Sequence, residues 1–393
     1  VTGTNGKTTT AKLIAHALKY SCKKVGFAGT TGVEIDGVAV ISGDYSGPEG
    51  SGIVLREPNV DHAVLEVARG GIVRRGLGFE SCSVGILLNV DEDHVGLDGV
   101  EDLEELALVK ATVIEIVEDS GVSVLNADDP IVSGLMEKAG GQVILFSLHP
   151  ENEAIAQHLH SGGTAVVLQD GDVVIHSPKP SVHLLSVLEA PITLRGVAAF
   201  NIANVLAAAA ALHGLGIPVD MIRKGISTFH PSATQNPGRM NLIDFISFKV
   251  ILDYGHNVPA VKALGTALPH ITKGRKIVVA HGTGNRRDDH IRVFGAALAE
   301  IYDYLVITDA DPRHRRPGET PSLVLAGALD KGFASDRAEV INDPIQAIDR
   351  AISIVQSGDL IVVQVDEVEP MLKRVMEHFD RIVGTMPSLR PGS

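Results

Sequence analysis

Short runs of apolar, mostly β-branched residues alternate with amphipathic helical patterns along most of the chain. Ten runs have the length and composition of buried strands, and they lie at 25–29, 63–68, 84–90, 122–127, 143–148, 249–254, 276–281, 304–308, 338–342 and 360–365. Helical periodicity covers the stretches 101–117, 201–213, 218–229, 288–303 and 344–357. Apolar strands that are connected through helices predict parallel sheets with helices on both faces.

The alternation of strands and helices is interrupted between residues 150 and 195. An Asp-Gly pair at 170–171 separates two alternating runs there, which is typical of a β-hairpin. Turn-forming residues fill 232–241, and we interpret that stretch as an interdomain linker. The sequence therefore predicts an α/β fold in two parts. A parallel-sheet central domain covers 1–236, with a hairpin-rich segment at 150–195, a Rossmann-like domain covers 237–385, and a tail covers 386–393.

Composition and charge narrow the classes of partner. The 393 residues are 45% hydrophobic and 21% charged, as in globular proteins, and their net charge is −14 without a prominent basic block. This argues against nucleic acid or an anionic membrane as the main partner. No apolar run is long enough to cross a bilayer. Cys22 and Cys82 match no metal-ligand spacing, so we expect a reduced, cytoplasmic protein.

A glycine-rich loop, GTNGKT at residues 3–8, opens the chain and runs directly into a helix. Backbone N–H groups in such loops surround phosphate oxygens, Lys7 would neutralise the β- and γ-phosphates, and the Thr8 hydroxyl would bind Mg²⁺. The strict spacing G-x-x-x-x-G-K-[ST] is not met, because Val1 occupies the first glycine position. The alternative is a glycine-rich turn before a helix. Because so little strand precedes the loop, either the chain is a piece of a longer protein or its first strand is trimmed almost away; with the resemblance described below, we expect the C-terminal portion of a longer enzyme.

Two further candidates follow predicted strands. Glu66 ends an apolar run and His94 lies in NVDEDHVG, just past the strand at 84–90. Ligands gather at the carboxyl ends of parallel strands, so both side chains are candidate metal ligands. The alternatives are an ion pair of Glu66 with Arg69 or Arg74, and a structural histidine in a loop.

Lys110 lies in the apolar stripe of the helix predicted at 101–117. The spacing of three and four residues places its side chain on the buried face. A buried ammonium is costly and burial lowers the pKa of an amine. Such an amine can be carbamylated by CO₂ and become an anionic metal ligand. The alternative is a lysine whose stem is buried and whose amine reaches water.

The loop, the strand-end glutamate, the Asp-His pair and the helical lysine occur in the order seen in the Mur ligase family. Other stretches, such as LEVARGGIVRRGLGF, VLNADDP, RGVAAFNIAN, QNPGRMNL and DYGHN, resemble the C-terminal, Mur-ligase-like region of the cyanophycin synthetases within that family. The resemblance covers essentially the whole chain. It implies ATP-dependent amide ligation through an acyl phosphate, in which an amino acid is joined to an acidic acceptor.

The resemblance also implies roles for individual residues. Thr8 and Glu66 would hold one Mg²⁺, and His94 with carbamylated Lys110 would hold a second. Lys7, Glu66, His94, Lys110 and Arg239 are the implied catalytic residues. The implied nucleotide contacts are Thr4, Asn5, Gly6, Lys7, Thr8, Thr9, Asn201 at the adenine, Arg239 at the phosphates and Asp253 at the ribose. His256 and Arg313 would contact the substrates, with Arg313 binding the carboxylate of the incoming amino acid.

The resemblance is not uniform, and it leaves the substrates open. The tracts HGTGNRRDDHI and TDADPRHRRPGE depart from the cyanophycin synthetase pattern, and the second is similar to the D-N-P-R element of muropeptide ligases. Addition of arginine to the β-carboxyl of aspartate in a polyaspartate chain is the leading hypothesis. A polyanionic acceptor would need local basic loops, and 74–76, 284–292 and 312–316 are candidates; the alternative is a solvated basic surface. Homo-oligomerisation stays open.

Two other functions compete with this hypothesis. One is a Mur-type ligase with another acceptor, a muropeptide or a folylpolyglutamate-like molecule. The other is a non-catalytic nucleotide-binding regulator, against which the intact set of site residues argues.

Overall fold

A computed structural model describes residues 1–21, 23–92 and 98–384 of the chain. The chain divides into two units, Val1–His230 and Pro231–Ser393, and each is described by itself. The division lies beside the turn-rich stretch 232–241. Among the described residues, no helix has both the length and the apolar character needed to cross a membrane.

The first unit alternates strands and helices. Its strands are β1 (Val25–Gly29), β2 (Gly32–Ile35), β3 (Val38–Ile41), β4 (His62–Leu65), β5 (Cys82–Leu87), β6 (Val117–Asn126), β7 (Gln142–Ser147), β8 (Thr164–Gln169), β9 (Asp172–His176) and β10 (Val182–Ser186). Its helices are α1 (Lys7–Leu18), α2 (Pro48–Leu55), α3 (Arg69–Arg75), α4 (Leu103–Glu115), α5 (Pro130–Gly134), α6 (Glu153–His160), α7 (Ala199–Gly214) and α8 (Val219–Ser227).

These strands form a four-stranded sheet in the order β3-β2-β1-β4 and a six-stranded sheet in the order β10-β9-β8-β7-β6-β5. The strands β5 to β8 are parallel, as is the pair β1 and β4. The hairpins β2–β3 and β8–β9 are antiparallel. The predicted parallel arrangement is therefore confirmed for the strands that carry the site, and hairpins extend the outer edges of both sheets.

Both hairpins turn on an Asp-Gly pair in the left-handed region. The φ angles are 52° and 80° at Asp36 and Gly37, and 53° and 85° at Asp170 and Gly171. Two consecutive positive φ values match the right-handed twist of the flanking strands. The hairpin predicted at 170–171 is confirmed, and an equivalent one at 36–37 was missed by the sequence analysis.

Helices cover both faces of the six-stranded sheet. Ile86 and Val124 pack in one core with α1, α7 and α8, while their neighbours Leu87 and Leu125 pack in a second core with α4, α5 and α6. Successive side chains of a strand point to opposite faces, so a strand that is apolar at every position is buried on both sides. This confirms the layering predicted from the apolar runs.

The second unit has one sheet in the order β11-β12-β16-β13-β14-β15. Its strands are β11 (Asn241–Asp244), β12 (Lys249–Asp253), β13 (Lys276–Thr283), β14 (Tyr304–Asp311), β15 (Ala338–Val340) and β16 (Leu360–Gln364). Its helices are α9 (Val258–Ile271), α10 (Asp288–Ile301), α11 (Glu319–Asp330), α12 (Pro344–Ile354) and α13 (Val368–Val383). All strands except β11 are parallel, so the carboxyl ends of the other five share one edge.

Candidate active site

The glycine-rich loop lies in the first unit, and the residues that lead into it run between the two sheets. The N–H of Thr2 donates to Ile86 O at 2.8 Å on the β5 side. The N–H of Val67 donates to Val1 O at 2.8 Å on the β4 side. Residues 1–2 therefore form a short strand between β4 and β5, and the loop starts at the carboxyl ends of these strands. In α/β sheets this edge is where ligands bind.

Gly6 closes the loop and is the N-cap of α1. Its φ of 87° is left-handed, and a Cβ at this position would lie 2.3 Å from Asn204 Oδ1. Only glycine satisfies both conditions. No side chain caps α1, so the positive end of the helix dipole faces the loop directly. This arrangement favours a bound phosphate.

Lys7 begins α1 and folds back over the loop. Its amine donates to Gly3 O and Thr4 O, both at 3.0 Å. The Lys7 amine, which is predicted to bind phosphate oxygens, is thus held next to the loop by two backbone carbonyls. An anionic ligand can replace these carbonyls as hydrogen-bond acceptors.

Asn89, which the sequence analysis did not single out, fixes the conformation of the loop. Its Oδ1 accepts from the N–H of Asn5 at 2.8 Å and its Nδ2 donates to Asn5 O at 3.1 Å. Its own carbonyl accepts from the N–H of Thr4 at 3.0 Å. One side chain and one carbonyl therefore hold two successive loop residues. In the sequence, the role of Asn89 is indicated by no more than its position, two residues after the end of β5.

With ATP as the ligand that the resemblance implies, we expect Asn89→Ala to raise the KM for ATP by about 10-fold, since two hydrogen bonds to the loop are lost. The turnover number should change less, because the hydrogen bonds of Asn89 in the described part of the chain go to Thr4 and Asn5 and not to the candidate metal ligands Thr8, Glu66 and Lys110. Steady-state kinetics with varied ATP would measure this. Asn59→Ala is the control, because Asn59 bonds to exposed Glu57. An unchanged KM for ATP would show that the loop keeps its shape without Asn89.

Glu66 lies one residue past β4 and is 1% exposed. Its Oε2 accepts from the Thr8 hydroxyl at 3.0 Å and from the N–H of Thr30 at 3.1 Å. Its Oε1 is buried and has no hydrogen-bond partner among the described residues. The Thr8 and Thr30 hydroxyls are themselves 3.0 Å apart. Thr30, at the turn after β1, is a site residue that sequence reasoning missed.

The alternative ion pair of Glu66 does not form. Arg69 and Arg74 both bind Asp98, each with a nitrogen 2.9 Å from Asp98 Oδ2. These arginines therefore compensate another carboxylate, and Glu66 is held by hydroxyl and amide donors instead.

Thr8 and Glu66 fit a hard divalent cation. Carboxylate and hydroxyl oxygens are ligands that Mg²⁺ prefers, and a buried oxygen without a partner is an atom that a cation would satisfy. The described residues contain no group of three or more His, Cys, Asp or Glu side chains that would hold a metal alone. A cation here would therefore draw further ligands from phosphate oxygens and water, as Mg²⁺ in nucleotide sites does.

Lys110 lies on α4 and is 3% exposed, so the predicted buried placement is confirmed. Its amine donates to Thr4 Oγ1 at 2.8 Å. Thr4 Oγ1 also accepts from the N–H of Asp91 at 3.0 Å. A lysine whose amine reaches water would be far more exposed, so the structure places this amine against the loop. His94 lies outside the described residues, and its predicted role stays a prediction.

Asn201 is buried in the first turn of α7. Its Nδ2 donates to Ile192 O at 2.9 Å and its Oδ1 accepts from Asn204 at 3.1 Å. Asn204 Oδ1 accepts from the Thr10 hydroxyl at 3.2 Å. A chain of amides thus connects α7 with the first turn of α1. The adenine contact of Asn201 stays a prediction.

Three of the predicted residues of the second unit, Arg239, Asp253 and His256, lie near the end of β12. Asp253 Oδ2 accepts from the N–H of Met240 at 2.9 Å and its Oδ1 from the N–H of Gly255 at 2.8 Å. Burial raises the pKa of Asp253, and these hydrogen bonds with the charge of Arg239 oppose the rise. The Arg239 guanidinium lies 4.0 Å from the centroid of the Tyr254 ring. His256 Nδ1 is 2.8 Å from Tyr254 O.

Arg313 lies just past β14 in the left-handed region, with φ 51°. A bulky residue in this conformation costs energy and is frequent at functional sites. Its Nε is 2.6 Å from Asp311 Oδ1. Neighbouring Arg315 joins the two predicted basic loops of this unit, because its guanidinium donates to Gly284 O at 2.9 Å and to Arg286 O at 2.7 Å.

Acidic partners balance much of the charge in the three predicted basic loops. The pairs are Arg74 with Asp98, Arg75 with Glu49, Arg287 with Asp289, Arg292 with Asp330, Arg313 with Asp311, and Arg315 with Asp288 and Glu319. These loops are therefore less positive than their sequences indicate, which agrees with the alternative of a solvated basic surface.

Comparisons with known proteins cover both units. Residues 1–212 match the Mur ligase middle domain, and residues 238–364 match the Mur ligase, glutamate ligase domain. The cyanophycin synthetase of Crocosphaera subtropica is 40% identical over 364 residues, which are 92% of this chain and 42% of that relative. A UDP-N-acetylmuramoyl-L-alanyl-D-glutamate–2,6-diaminopimelate ligase of Streptomyces avermitilis is 29% identical over 92% of this chain and 69% of its own length. The chain spans about two fifths of the length of the cyanophycin synthetases it matches.

Solved structures agree on the fold. Escherichia coli FolC in complex with DHPP and ADP has a TM-score of 0.71 at 19% identity, over 96% of this chain and 87% of that one. A bifunctional folylpolyglutamate synthase/dihydrofolate synthase with Mn, AMPPNP and L-glutamate bound has a TM-score of 0.69 at 20% identity, over 95% and 88%.

Proposed function

Because the chain belongs to the Mur ligase family, we propose that it is an ATP-dependent ligase of the cyanophycin synthetase type. It would join the amine of an amino acid to a carboxylate of an acidic acceptor, with arginine and the β-carboxyl of a polyaspartate aspartate as the leading pair. The observation that carries this proposal is that two predicted site residues, Glu66 and Lys110, both contact the glycine-rich loop. Glu66 binds Thr8, and Lys110 binds Thr4, so a carboxylate and an amine both reach the glycine-rich loop.

The acceptor carboxylate would attack the γ-phosphorus of ATP, which releases ADP and leaves an acyl phosphate. The amine of the amino acid would then attack the acyl carbon, lose a proton, and expel phosphate as the amide bond forms. The first step brings two anions together, so its barrier is lowered by positive charge around the phosphates.

Residues of the first unit would supply positive charge around the phosphates or bind the cation that supplies it. The N-terminus of α1 and Lys7 would bind the phosphates, with Lys7 exchanging Gly3 O and Thr4 O for phosphate oxygens. Thr8 and Glu66 would hold a Mg²⁺ ion, which when bound neutralises charge on the β- and γ-phosphates. Similarity to structures that contain ADP, or AMPPNP and Mn, supports ATP and a divalent cation as ligands.

Lys110 would serve the acceptor side of the site as a carbamate. The ammonium would first release one proton, and the neutral amine would then add to CO₂ and lose a second proton, which leaves an anionic carbamate next to Thr4. This anion, with His94, would hold a second Mg²⁺. The position of Lys110 supports the proposal, since its amine is shielded from water and lies against the loop at Thr4 Oγ1.

Other predicted roles remain proposals taken from the resemblance. Asn201 would contact adenine, Arg239 the phosphates, Asp253 the ribose, and His256 a substrate. Arg313, in its left-handed conformation, would bind the carboxylate of the incoming amino acid.

Release of ADP tests the proposed function. Purified chain with ATP and Mg²⁺ is offered acidic acceptors (polyaspartate, a muramyl dipeptide, a folate) and amino acids of each charge class. A ligase releases ADP only when acceptor and amine are both present, and mass spectrometry finds the joined product. Nucleotide binding without turnover for any pair would favour the non-catalytic regulator. Turnover with a muropeptide or folate only would favour the other Mur-type reactions.

Arg313→Ala should raise the KM for the amino acid by about 10- to 100-fold, as expected when a charged hydrogen bond to a carboxylate is lost. The KM for ATP should stay within about 2-fold, because the nucleotide residues are unchanged. Arg350→Ala is the matched control, since Arg350 is an exposed arginine that is also paired with a carboxylate, Glu339, at 2.8 Å. An amino-acid KM that is the same in Arg313→Ala and the wild type would remove Arg313 from the site.

A further inference from the structure

Two β-turns lie side by side in the second unit, directly after the strands β13 and β14. The first turn comprises residues 283–286 and the second comprises residues 312–315. In each turn, the N–H of the last residue donates to the carbonyl of the first, at 3.1 Å and 3.0 Å respectively. The two strands are parallel neighbours, and Thr283 pairs with Asp311. The two turns therefore start at the same level of the sheet.

The backbones of the two turns are in direct contact. The N–H of Gly284 donates to Asp311 O at 2.8 Å, and a Cβ on Gly284 would lie 2.0 Å from Pro312 O. Only glycine allows so close an approach. Arg313 is the first central residue of the second turn and has the left-handed φ of 51°. The orientation of Arg313 therefore depends on how the second turn is held against the first.

The guanidinium of Arg315 joins the two turns. Its Nε donates to Gly284 O at 2.9 Å and its Nη2 donates to Arg286 O at 2.7 Å, so one side chain satisfies two carbonyls of the first turn. The side chain of Arg315 is 11% exposed, whereas that of Arg313 is 57% exposed. A guanidinium presents its N–H groups in fixed directions, which an ammonium does not. Arg315 is thus fixed within the protein, while Arg313 faces solvent.

Arg315 also forms two ion pairs, with Asp288 and with Glu319, both at 2.7 Å. The two carboxylates are exposed, and exposed ion pairs contribute little to stability. The bonds to the carbonyls are therefore the ones that determine how the turns are held. Substitutions of the two carboxylates leave those bonds intact, which makes them suitable controls.

We propose that Arg315 is a positioning residue, which holds Arg313 in the orientation that binds the carboxylate of the incoming amino acid. This inference rests on the proposed function, in which Arg313 has that role. Four hydrogen bonds already occupy the guanidinium of Arg315, so it acts through Arg313 and not by contact with the amino acid. A strained backbone conformation persists only while its surroundings enforce it. Without Arg315 the two turns lose their connection, and Arg313 loses the support for its conformation.

The test compares Arg315→Lys, Arg313→Ala and the double variant, with polyaspartate as the acceptor and arginine as the amino acid. Lysine keeps the positive charge but cannot donate to both carbonyls. Arg315→Lys should raise the KM for arginine by about 10-fold and leave the KM for ATP within about 2-fold. The double variant should match Arg313→Ala within about 2-fold, because a residue that acts only through Arg313 has no effect once Arg313 is absent. Rates of ADP release at varied arginine and ATP measure these constants.

Asp288→Asn and Glu319→Gln are the controls, and both should keep the arginine KM within about 2-fold. Thermal melting verifies folding, and Arg315→Gln, whose amide can donate to one carbonyl, supplies the same comparison if Arg315→Lys is unstable. An unchanged arginine KM in the Arg315 variants would overturn the inference, as would a double variant in which the two single effects multiply. A wild type that ligates no amino acid would refute the proposed function and the inference with it. That result is distinct, because it appears before any substitution is made.

Discussion

Lys110→Ala should reduce ligation by on the order of 10³-fold, the size of effect seen when a group that stabilises transition-state charge is removed. Two contributions are lost together. The donor to Thr4 Oγ1, at 2.8 Å, disappears from the loop, and the proposed anionic ligand can no longer form. Rates of ADP release at saturating acceptor and amino acid measure the loss. Lys138→Ala is the control, since Lys138 is exposed and, within the described part of the chain, pairs with Glu115 at 3.6 Å.

Chemical rescue separates the carbamate from a simple ammonium. Bicarbonate should not restore Lys110→Ala, because no amine remains to react with CO₂, whereas a short-chain carboxylic acid that fits the vacated space should restore part of the rate. Rescue by a short amine instead would indicate that the positive charge matters. An experimental density map with an unmodified Lys110 amine, and metal bound elsewhere, would refute the carbamate.

Glu66→Gln should lower kcat by about 10²- to 10³-fold and the affinity for ATP far less. The substitution keeps the volume and one oxygen, so Thr8 and Thr30 retain an acceptor. The lost charge is the one proposed to hold Mg²⁺, and Oε1, buried without a partner in the described residues, is the atom that the cation would use. Kinetics at varied ATP and Mg²⁺, with calorimetric binding of ADP, measure both quantities.

Glu118→Gln is the control for this substitution, because Glu118 is exposed and its carboxylate accepts from the Ser81 hydroxyl at 2.8 Å. Equal losses in kcat and ATP affinity for Glu66→Gln would mean that Glu66 only shapes the loop. A melting temperature close to that of the wild type is expected, since the carboxylate forms no ion pair with Arg69 or Arg74.

The sequence predicts well those features that follow from a regular spacing of apolar residues along a strand or helix. Apolar runs such as 25–29 and 360–365 became buried parallel strands, because a strand that is apolar at every position is stable only between two layers. Lys110 was placed on the buried face of α4 for the same reason, by the period of its helix.

Features that depend on tertiary contact were missed. Asn89 and Thr30 reach the site only because β5 and β1 end beside the loop, and nothing in their local sequence distinguishes them from other polar residues after a strand. The Asp-Gly turn at 36–37 was overlooked although it has the same residues as the recognised turn at 170–171. The runs that flank it are four residues each, too short to stand out as strands.

The acyl phosphate is the centre of this account, and isotope transfer tests it most directly. An acceptor in which both oxygens of the reacting carboxylate are ¹⁸O is incubated with the chain, ATP, Mg²⁺ and arginine, and the released phosphate is analysed by mass spectrometry. The account predicts one ¹⁸O atom in each phosphate and ADP as the nucleotide product, because a carboxylate oxygen is bonded to phosphorus before the amine displaces it. Unlabelled phosphate with amide product, or AMP and pyrophosphate in place of ADP, would contradict it.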